Sequence, residues 1–381
     1  MAIEEPSVES SVVFLGNSSC EIHPIRVAFG CSFVAKSDPC MPSGAPGSWR
    51  GAMTKISDFI WITWKTCRRT NELSRALGVS LCQISGDGPY LLRTAILSLK
   101  SVGLLWREKP PGVIVQNPSM ALAVVACLLK PILRYKLVVD RHTALMCEPL
   151  TSRLPIHKMV HYLNRYTARR ADLTIVTNSY LKVLVEQWGG HGFVLQDKLP
   201  KLRCVEARAA RLVGKHNIAY ICSFLPDEPA DEVLEATRQL DDSTVVYVTG
   251  DYGRYLRRRR GAIPRNVVFT GFLSETDFVS LLATADAVMV LTKREHTLLC
   301  GAYEAVTLGK PLILSRTQCL REYFGDGPVY TSNISSDIAR AIRLVIDAEA
   351  RISRKVANLR QRLGEDWARR FGELSALLGQ L

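Results

Sequence analysis

Short apolar runs alternate with segments of helical spacing along most of the chain. In the clearest example, an apolar run at 287–291 leads into a polar turn at 292–296 and then into a segment with helical periodicity. That segment stops at Gly309-Lys310-Pro311, and a second apolar run follows at 312–314. Strand-length apolar runs joined by helices are typical of buried parallel strands. The stretch therefore predicts a strand, a loop, a helix and a second strand.

The same alternation recurs in both halves of the chain. Apolar runs of strand length lie at 59–64, 112–117, 136–140, 217–224, 244–250 and 266–272. Helical segments follow several of them, and the one after Ser119 is expected to end before Lys130-Pro131. This order of elements predicts an α/β fold with parallel sheets. Because a single core rarely grows past roughly 250–300 residues, the 381 residues predict two domains.

Local composition sets the expected domain boundaries. Residues 37–51 are rich in proline, glycine and serine, and residues 200–216 alternate arginine and alanine without a strong strand. The predicted segments are a poorly defined extension at 1–56, a Rossmann-like domain at 57–200, a linker at 201–216, a second Rossmann-like domain at 217–350 and a C-terminal helix at 351–381.

Charge and cysteine content narrow the class of function. The formal net charge of +13 and the pI near 9.3 indicate an anionic partner, such as a nucleotide, a nucleic acid or an acidic membrane surface. Eleven cysteines occur without any Cys-x-x-Cys pair, which argues against a zinc framework and against a complete set of intrachain disulfides. Such cysteine usage suits a reducing cytosol.

Two features bear on localisation. No apolar stretch reaches the roughly 18 residues that a spanning helix needs, and the acidic start at Glu4, Glu5 and Glu9 is unlike a secretory signal. A basic helix predicted at 90–107 has apolar spacing that suits either packing on the sheet or contact with an anionic membrane. We expect a cytoplasmic protein, with peripheral contact to the inner face of the membrane as an open alternative.

Candidate chemistry lies where strands end. In α/β proteins ligands bind beyond the carboxyl ends of parallel strands, where helix N-termini favour anions. Glu304, within the first turns of the helix after the 287–291 run, is better placed to accept hydrogen bonds from ribose hydroxyls than to hold a phosphate. Asp140 and His142 end another strand and form a titratable pair.

The stretch at 291–315 resembles the nucleotide-sugar motif of family 4 glycosyltransferases, in which two glutamates seven residues apart are followed by Ala-x-x-x-Gly-x-Pro. Glu304-Ala305 and Gly309-Lys310-Pro311 match its second half, whereas His296 stands at the first glutamate's position, with Glu295 one residue earlier. The resemblance implies the GT-B fold, an α/β architecture of two Rossmann-like domains with parallel sheets facing across a cleft. It also implies sugar transfer from a nucleotide-diphosphate sugar to a hydroxyl acceptor.

The resemblance assigns roles to particular residues. It implies that Glu304 binds the ribose and that amides around Leu298–Gly301 face the phosphates. Residues 225–229 lack the arginine and lysine that the family uses as a diphosphate clamp, so Lys293 and Arg294 are the expected substitutes. The full set of implied donor-binding residues is Lys293, Arg294, His296, Thr297, Leu298, Leu299, Cys300, Gly301, Glu304, Gly271 and Phe272.

In the first domain the resemblance places His142, with Asp140, at the reaction centre, and Lys65 and Arg68 toward the acceptor or the phosphates. It also implies that the last helix returns to the first domain, anchored by Trp367 and Phe371. No Asp-x-Asp metal motif is present. We therefore expect a metal-independent transferase that needs no cofactor, with retention of configuration as the family's habit.

The expected partners are a nucleotide sugar and a hydroxyl acceptor, lipid-linked or otherwise, in polysaccharide or glycolipid assembly. An anionic membrane surface is a further candidate. One alternative is a GT-B nucleotide-sugar epimerase or hydrolase. The others are a silent scaffold and a non-catalytic nucleotide- or nucleic-acid-binding protein that uses the arginines at 257–260. No aromatic residues are interleaved with that run, so no nucleic acid is expected.

Overall fold

A computed structural model describes residues 55–65, 67–117, 119–142, 155–202 and 211–381. Within this part of the chain, 55–198 and 365–381 form one compact unit, here called the first lobe, and 199–364 form another, the second lobe. Residues 1–54 of the predicted extension at 1–56 and residues 203–210 of the predicted linker lie outside the described residues. No helix of the described residues is long and apolar enough to cross a membrane.

The first lobe contains a six-stranded parallel sheet in the order β2-β1-β3-β4-β5-β6. Its strands are β1 (Phe59–Thr63), β2 (Ser80–Gln83), β3 (Gly112–Asn117), β4 (Lys136–Arg141), β5 (Leu173–Val176) and β6 (Gly192–Val194). Its helices are α1 (Arg68–Leu77), α2 (Tyr90–Glu108), α3 (Met120–Leu133), α4 (Pro155–Arg170) and α5 (Ser179–Gln187).

The second lobe contains another six-stranded parallel sheet, in the order β12-β11-β10-β7-β8-β9. Its strands are β7 (His216–Ile221), β8 (Thr244–Thr249), β9 (Val267–Gly271), β10 (Ala287–Val290), β11 (Leu312–Ser315) and β12 (Val329–Thr331). Its helices are α6 (Ala230–Thr237), α7 (Gly253–Arg258), α8 (Glu275–Thr284), α9 (Cys300–Thr307), α10 (Gln318–Phe324) and α11 (Ser335–Asp347), followed by α12 (Glu349–Gly379).

The two parallel sheets confirm the predicted α/β fold. Their strands are continuous apolar runs because helices cover both faces. In the first sheet, Val113 and Val115 of β3 pack into a cluster on one face, whereas Ile114 packs into a cluster on the other. Side chains of successive strand residues alternate between faces, so each strand contributes to two separate apolar layers.

The last helix, α12, contributes to the core of each lobe. Ile352 and Val356 belong to the apolar cluster of the second lobe. Leu374 and Leu378 belong to the cluster that covers one face of the first sheet. In the first lobe Trp367 also stacks on Phe371 with ring centroids 4.9 Å apart, and its indole N–H donates to the carbonyl of Gln196 at 3.2 Å.

One predicted helix boundary is wrong. The helix after Ser119 was expected to end before Lys130-Pro131, but α3 continues through Pro131 to Leu133. Proline removes one backbone donor and normally ends a helix. Here it lies in the last turn, and Arg134 closes the helix in a left-handed conformation, with its N–H bonded to the carbonyl of Lys130 at 2.8 Å. A proline so close to the end disturbs little of the helix.

Leu374→Ala tests whether α12 stabilises the first lobe. Leu374 is fully buried, so its truncation is expected to lower the free energy of unfolding by about 2–5 kcal/mol. Five of the six tryptophans lie in the first lobe, and Trp49 lies outside the described residues, so tryptophan fluorescence during chemical denaturation follows mainly the first lobe. Leu128→Ala, the same change at an exposed position of α3 in the first lobe, should cost less than about 1 kcal/mol. Equal effects of the two substitutions would contradict this packing role.

Candidate functional site

The loop between β10 and α9 is held at its start by hydrogen bonds to neighbouring strand ends. The backbone N–H of Thr292 donates to Oγ of Ser315 at 2.8 Å, and its carbonyl accepts from Nδ2 of Asn333 at 2.9 Å. The hydroxyl of Thr292 donates to Asp227 at 2.9 Å. These bonds fix where the chain leaves the sheet, so the loop that follows has a defined start.

The beginning of α9 packs closely on the sheet. A Cβ on Gly301 would lie 2.7 Å from Cδ1 of Ile221, so the helix can approach this closely because the residue is glycine. The N-cap residue, Leu299, has no side chain able to accept a hydrogen bond from the first turn. Backbone amides at an uncapped helix start suit an anionic ligand.

Two side chains make this helix start a candidate nucleotide site. Glu304 lies in α9 and is 8% exposed. The hydroxyl oxygen of Thr297 is buried and has no hydrogen-bond partner among the described residues. A buried hydroxyl without a partner is costly, and a polar ligand could satisfy it. His296, Leu298 and Leu299 lie half-buried in the same loop.

The expected diphosphate clamp is already paired with carboxylates. Lys293 Nζ lies 2.9 Å from Glu232, and Arg294 Nε lies 3.4 Å from Asp227. Both cations are exposed, so these pairs are weak and exchangeable. A phosphate group would have to compete with the two carboxylates for them.

A carboxylate also occupies the loop after β7, where the family places cations. Glu228 accepts hydrogen bonds from the backbone N–H of Ser223 at 2.9 Å and of Leu225 at 2.8 Å. Burial raises the pKa of Glu228, although these hydrogen bonds oppose the shift. The loop amides therefore already hold an anion that belongs to the chain.

Glu295 and the end of β9 are arranged differently from the expectation. Glu295 accepts a hydrogen bond from the backbone N–H of Gln318 and so caps α10. Gly271 ends β9 and Phe272 follows it, and two strands separate β9 from β10. At about 4.8 Å per strand, they lie roughly 14 Å across the sheet from the β10 loop. Phe272 is 85% exposed.

The sequence does not predict an aromatic cluster that lies near the ends of β7, β8 and β9. The rings of Phe224 and Tyr255 are 4.8 Å apart, and those of Tyr252 and Phe269 are 5.0 Å apart. Phe224 adopts a left-handed backbone conformation with φ of 56°. Aromatic rings at strand ends could contact a nucleobase. Phe224 and Tyr255 are 31 residues apart in sequence and Tyr252 and Phe269 are 17 apart, so no local motif reveals the cluster.

In the first lobe, Asp140 lies at the centre of a buried ion-pair network. Arg69 Nε and Nη2 reach Oδ1 of Asp140 at 3.0 and 2.8 Å, and Nη1 reaches Asp197 at 2.7 Å. Burial raises the pKa of Asp140, but the charge of Arg69 and the hydrogen bond from His142 outweigh it and lower the pKa. Asp140 is fully buried, so it positions its neighbours and cannot itself touch a substrate.

His142 lies beside the other oxygen of the Asp140 carboxylate. Its Nδ1 lies 3.2 Å from Oδ2 of Asp140, and its Nε2 lies 3.9 Å from Sγ of Cys67. Burial alone would lower the pKa of His142, but hydrogen bonds with Asp140 and Cys67 raise it to about 10. The imidazole is therefore positively charged at neutral pH.

The predicted acceptor-side residues flank this cluster. Lys65 follows β1 and is exposed, and its backbone N–H donates to the hydroxyl of Thr63 at 3.1 Å. Arg68 is the first residue of α1 and is also exposed. The structure thus brings His142, Asp140, Lys65 and Arg68 to the carboxyl end of the first sheet, and the β10–α9 residues to that of the second. No group of three metal-ligating side chains is found among the described residues.

Comparisons with known proteins agree with the second-lobe motif. Residues 208–368 match the family described as glycosyl transferases group 1. A GDP-mannose-dependent alpha-(1-6)-phosphatidylinositol dimannoside mannosyltransferase of Mycobacterium tuberculosis is 26% identical over 245 residues. That alignment covers 61% of this chain and 64% of the relative, so the chain spans less than two thirds of the relative's length.

Solved structures agree with the fold of most of the chain. Sucrose-phosphate synthase from Thermosynechococcus elongatus superposes with a TM-score of 0.68 at 13% identity, covering 84% of this chain and 98% of that one. Anabaena HepE in complex with UDP and glucose superposes with a TM-score of 0.63 at 17% identity, covering 85% and 100%. The GT-B fold and the predicted family resemblance are confirmed.

The protonation state of His142 can be tested by NMR. With a pKa near 10, its Cε1 resonance should remain that of an imidazolium at pH 8, where free histidine is neutral. Because folding raises the pKa of His142, its protonated form stabilises the fold. This contribution to the free energy of unfolding is complete below about pH 6.5 and is lost as the pH rises through about 10. Cys67→Ser removes one partner and should lower the midpoint. A native midpoint near pH 6.5 would contradict the assigned charge.

Proposed function

We propose that this chain, whose second lobe is a group 1 glycosyl transferase domain, transfers a sugar from a nucleotide-diphosphate sugar to a hydroxyl acceptor. The observation that carries the proposal is the buried Glu304 in the first turns of α9, directly beyond an uncapped helix start. Ribose offers two adjacent hydroxyl donors, and an ionised carboxylate accepts hydrogen bonds from both.

The α9 start supplies charge stabilisation for the leaving diphosphate. As the glycosidic bond breaks, negative charge grows on the phosphate oxygens, and fixed backbone N–H dipoles stabilise it without reorganising. Lys293 and Arg294 add positive charge once phosphate displaces their partners Glu232 and Asp227. On this proposal the reaction needs neither a metal nor a cofactor besides the donor, and it retains the configuration of the sugar.

The first lobe supplies a second charged centre at the carboxyl ends of its strands. The imidazolium of His142 is fixed by Asp140, which Arg69 holds in turn. On the family resemblance this histidine faces the transferred sugar. Both ring nitrogens already face protein groups, Asp140 and Cys67, so at that place the imidazolium can offset negative charge. It cannot act as a base while it is protonated, so the acceptor must lose its proton to another group.

A lipid-linked acceptor, as named for the mycobacterial relative, is supported here by the surface of α2. Leu97, Ser101 and Leu105 bury one face of this helix. The opposite face exposes an apolar row, which includes Leu92, Leu99 and Trp106. Arg93, Lys100 and Arg107 are exposed beside that row at intervals of seven residues. An apolar row flanked by cations suits the surface of an anionic membrane.

Glu304→Ala tests the donor site in a thermal-shift panel of nucleotide sugars that includes GDP-mannose and UDP-glucose. The native protein should be stabilised by its donor. Loss of the ribose hydrogen bonds should weaken donor binding about tenfold or more, since each is worth roughly 1.5–3 kcal/mol when a charged group takes part. Glu275→Ala, at an exposed position of α8, should leave the shift unchanged.

Two outcomes would change the assignment. A Glu304→Ala protein that keeps the full shift would contradict the ribose role. If the native protein binds a donor but releases free sugar or nucleotide without any acceptor, the epimerase or hydrolase alternative gains support.

Leu99→Asp tests the membrane surface. The native protein should sediment with vesicles containing phosphatidylglycerol, less at high salt, because both apolar burial and charge contribute. Loss of one buried leucine, worth about 1.5–3 kcal/mol, should weaken binding at least about tenfold. Val183→Asp, at an exposed apolar position on α5, is the matched control. Equal binding by the Leu99→Asp and native proteins would contradict the surface.

A further inference from the structure

Cys67 forms a cluster with groups that favour its ionised form. It is the N-cap residue of α1, and its Sγ lies 3.3 Å from Nε2 of Gln116, 3.3 Å from the hydroxyl of Thr70 and 3.9 Å from Nε2 of His142. Asp140 holds the other ring nitrogen of His142. The sulfur thus ends a chain of carboxylate, imidazolium and thiol, and the residue is half-buried.

The charges around this sulfur favour a thiolate. Burial raises the pKa of the Cys67 thiol, but the hydrogen bond and charge of His142, together with hydrogen bonds to Thr70, lower it below its usual value. The other charged groups nearby are Arg69, which is bound to Asp140 and Asp197, and Arg68 at the first position of α1. A helix N-terminus and a cationic neighbour are the surroundings in which reactive cysteines occur.

Other cysteines of the described chain have the opposite character. Cys127 and Cys222 are buried, and burial raises the pKa of the Cys127 thiol to about 12 and that of Cys222 further. Buried thiols of this kind are inert. The state of Cys67 therefore follows from its own neighbours and not from a general property of cysteines in this fold.

We propose that Cys67 is a modification site, a nucleophilic cysteine that exchanges with low-molecular-weight disulfides. Its Sγ attacks one sulfur of the disulfide, a new S–S bond forms and the original S–S bond breaks. The departing thiolate takes the proton from Nε2 of His142, which becomes neutral. A second free thiol reverses the exchange, so the modification is reversible.

The modification would act on the charge beside His142. A mixed disulfide removes the thiolate that helps to hold the imidazolium, and it adds bulk next to the carboxyl end of β4. If the chain is the proposed transferase, sugar transfer would stop until the disulfide is reduced. Only this consequence depends on the proposed function. The reactivity of Cys67 itself does not depend on any transferase activity.

The test is the rate of alkylation of each cysteine in the full chain by iodoacetamide, read by peptide mapping at pH 6 and pH 8. An ordinary thiol with a pKa of about 8.5 reacts roughly 75-fold more slowly at pH 6 than at pH 8, and N-acetylcysteine provides this reference. We expect a smaller decrease for Cys67 than for this reference, because its neighbours lower the pKa of the thiol. The His142→Gln protein should approach the reference, because the imidazolium is gone.

Two further measurements complete the test. Thr70→Val keeps His142 and removes one hydrogen bond to Sγ, so it should slow alkylation at pH 6 by a smaller factor. Oxidised glutathione should add its mass to the Cys67 peptide before the peptide of Cys300, which is exposed, and dithiothreitol should remove it. A native Cys67 that follows the reference thiol, a pH ratio unchanged by His142→Gln, or earlier modification of Cys300 would each overturn the proposal.

Discussion

Carboxylates held by the chain's own donors organise both strand-end sites. In the first lobe, Arg69 binds Asp140, and Asp140 fixes His142. In the second lobe, backbone amides of Ser223 and Leu225 bind Glu228. Asp140 is fully buried, and a buried carboxylate without a partner would cost several kcal/mol, so Asp140 fixes its donors in return. Such donors are available because the carboxyl ends of parallel sheets expose loop amides and helix starts, and these attract anions.

This arrangement implies competition between ligand and protein. Lys293 and Arg294 already pair with Glu232 and Asp227, and the loop after β7 already holds a carboxylate. The net binding free energy of a donor diphosphate is therefore only the difference between the contacts that it forms and the contacts that it displaces. The α9 start differs, because no side chain caps it. Donor recognition in this account therefore depends most on the α9 amides and Glu304.

The sequence predicts the sheets well because buried parallel strands are continuous apolar runs, and it predicts Glu304 and His142 because a position after such a run is local information. Contacts between residues that are far apart in sequence cannot be predicted in this way. Arg69 and Asp140 are 71 residues apart, and Asp227 and its hydrogen-bond partner Thr292 are 65 residues apart. The three-residue strand β12 is too short to show a pattern. The apolar spacing of α2 is also ambiguous, because it indicates a helix but not which face the sheet covers.

The most direct test of the account is an experimental structure with the nucleoside diphosphate of the preferred donor bound. We expect both ribose hydroxyls within hydrogen-bond distance of the Glu304 carboxylate and the phosphates at the backbone amides between Leu298 and Gly301. A nucleotide bound elsewhere, or bound at α9 with its ribose out of reach of Glu304, would contradict the central claim.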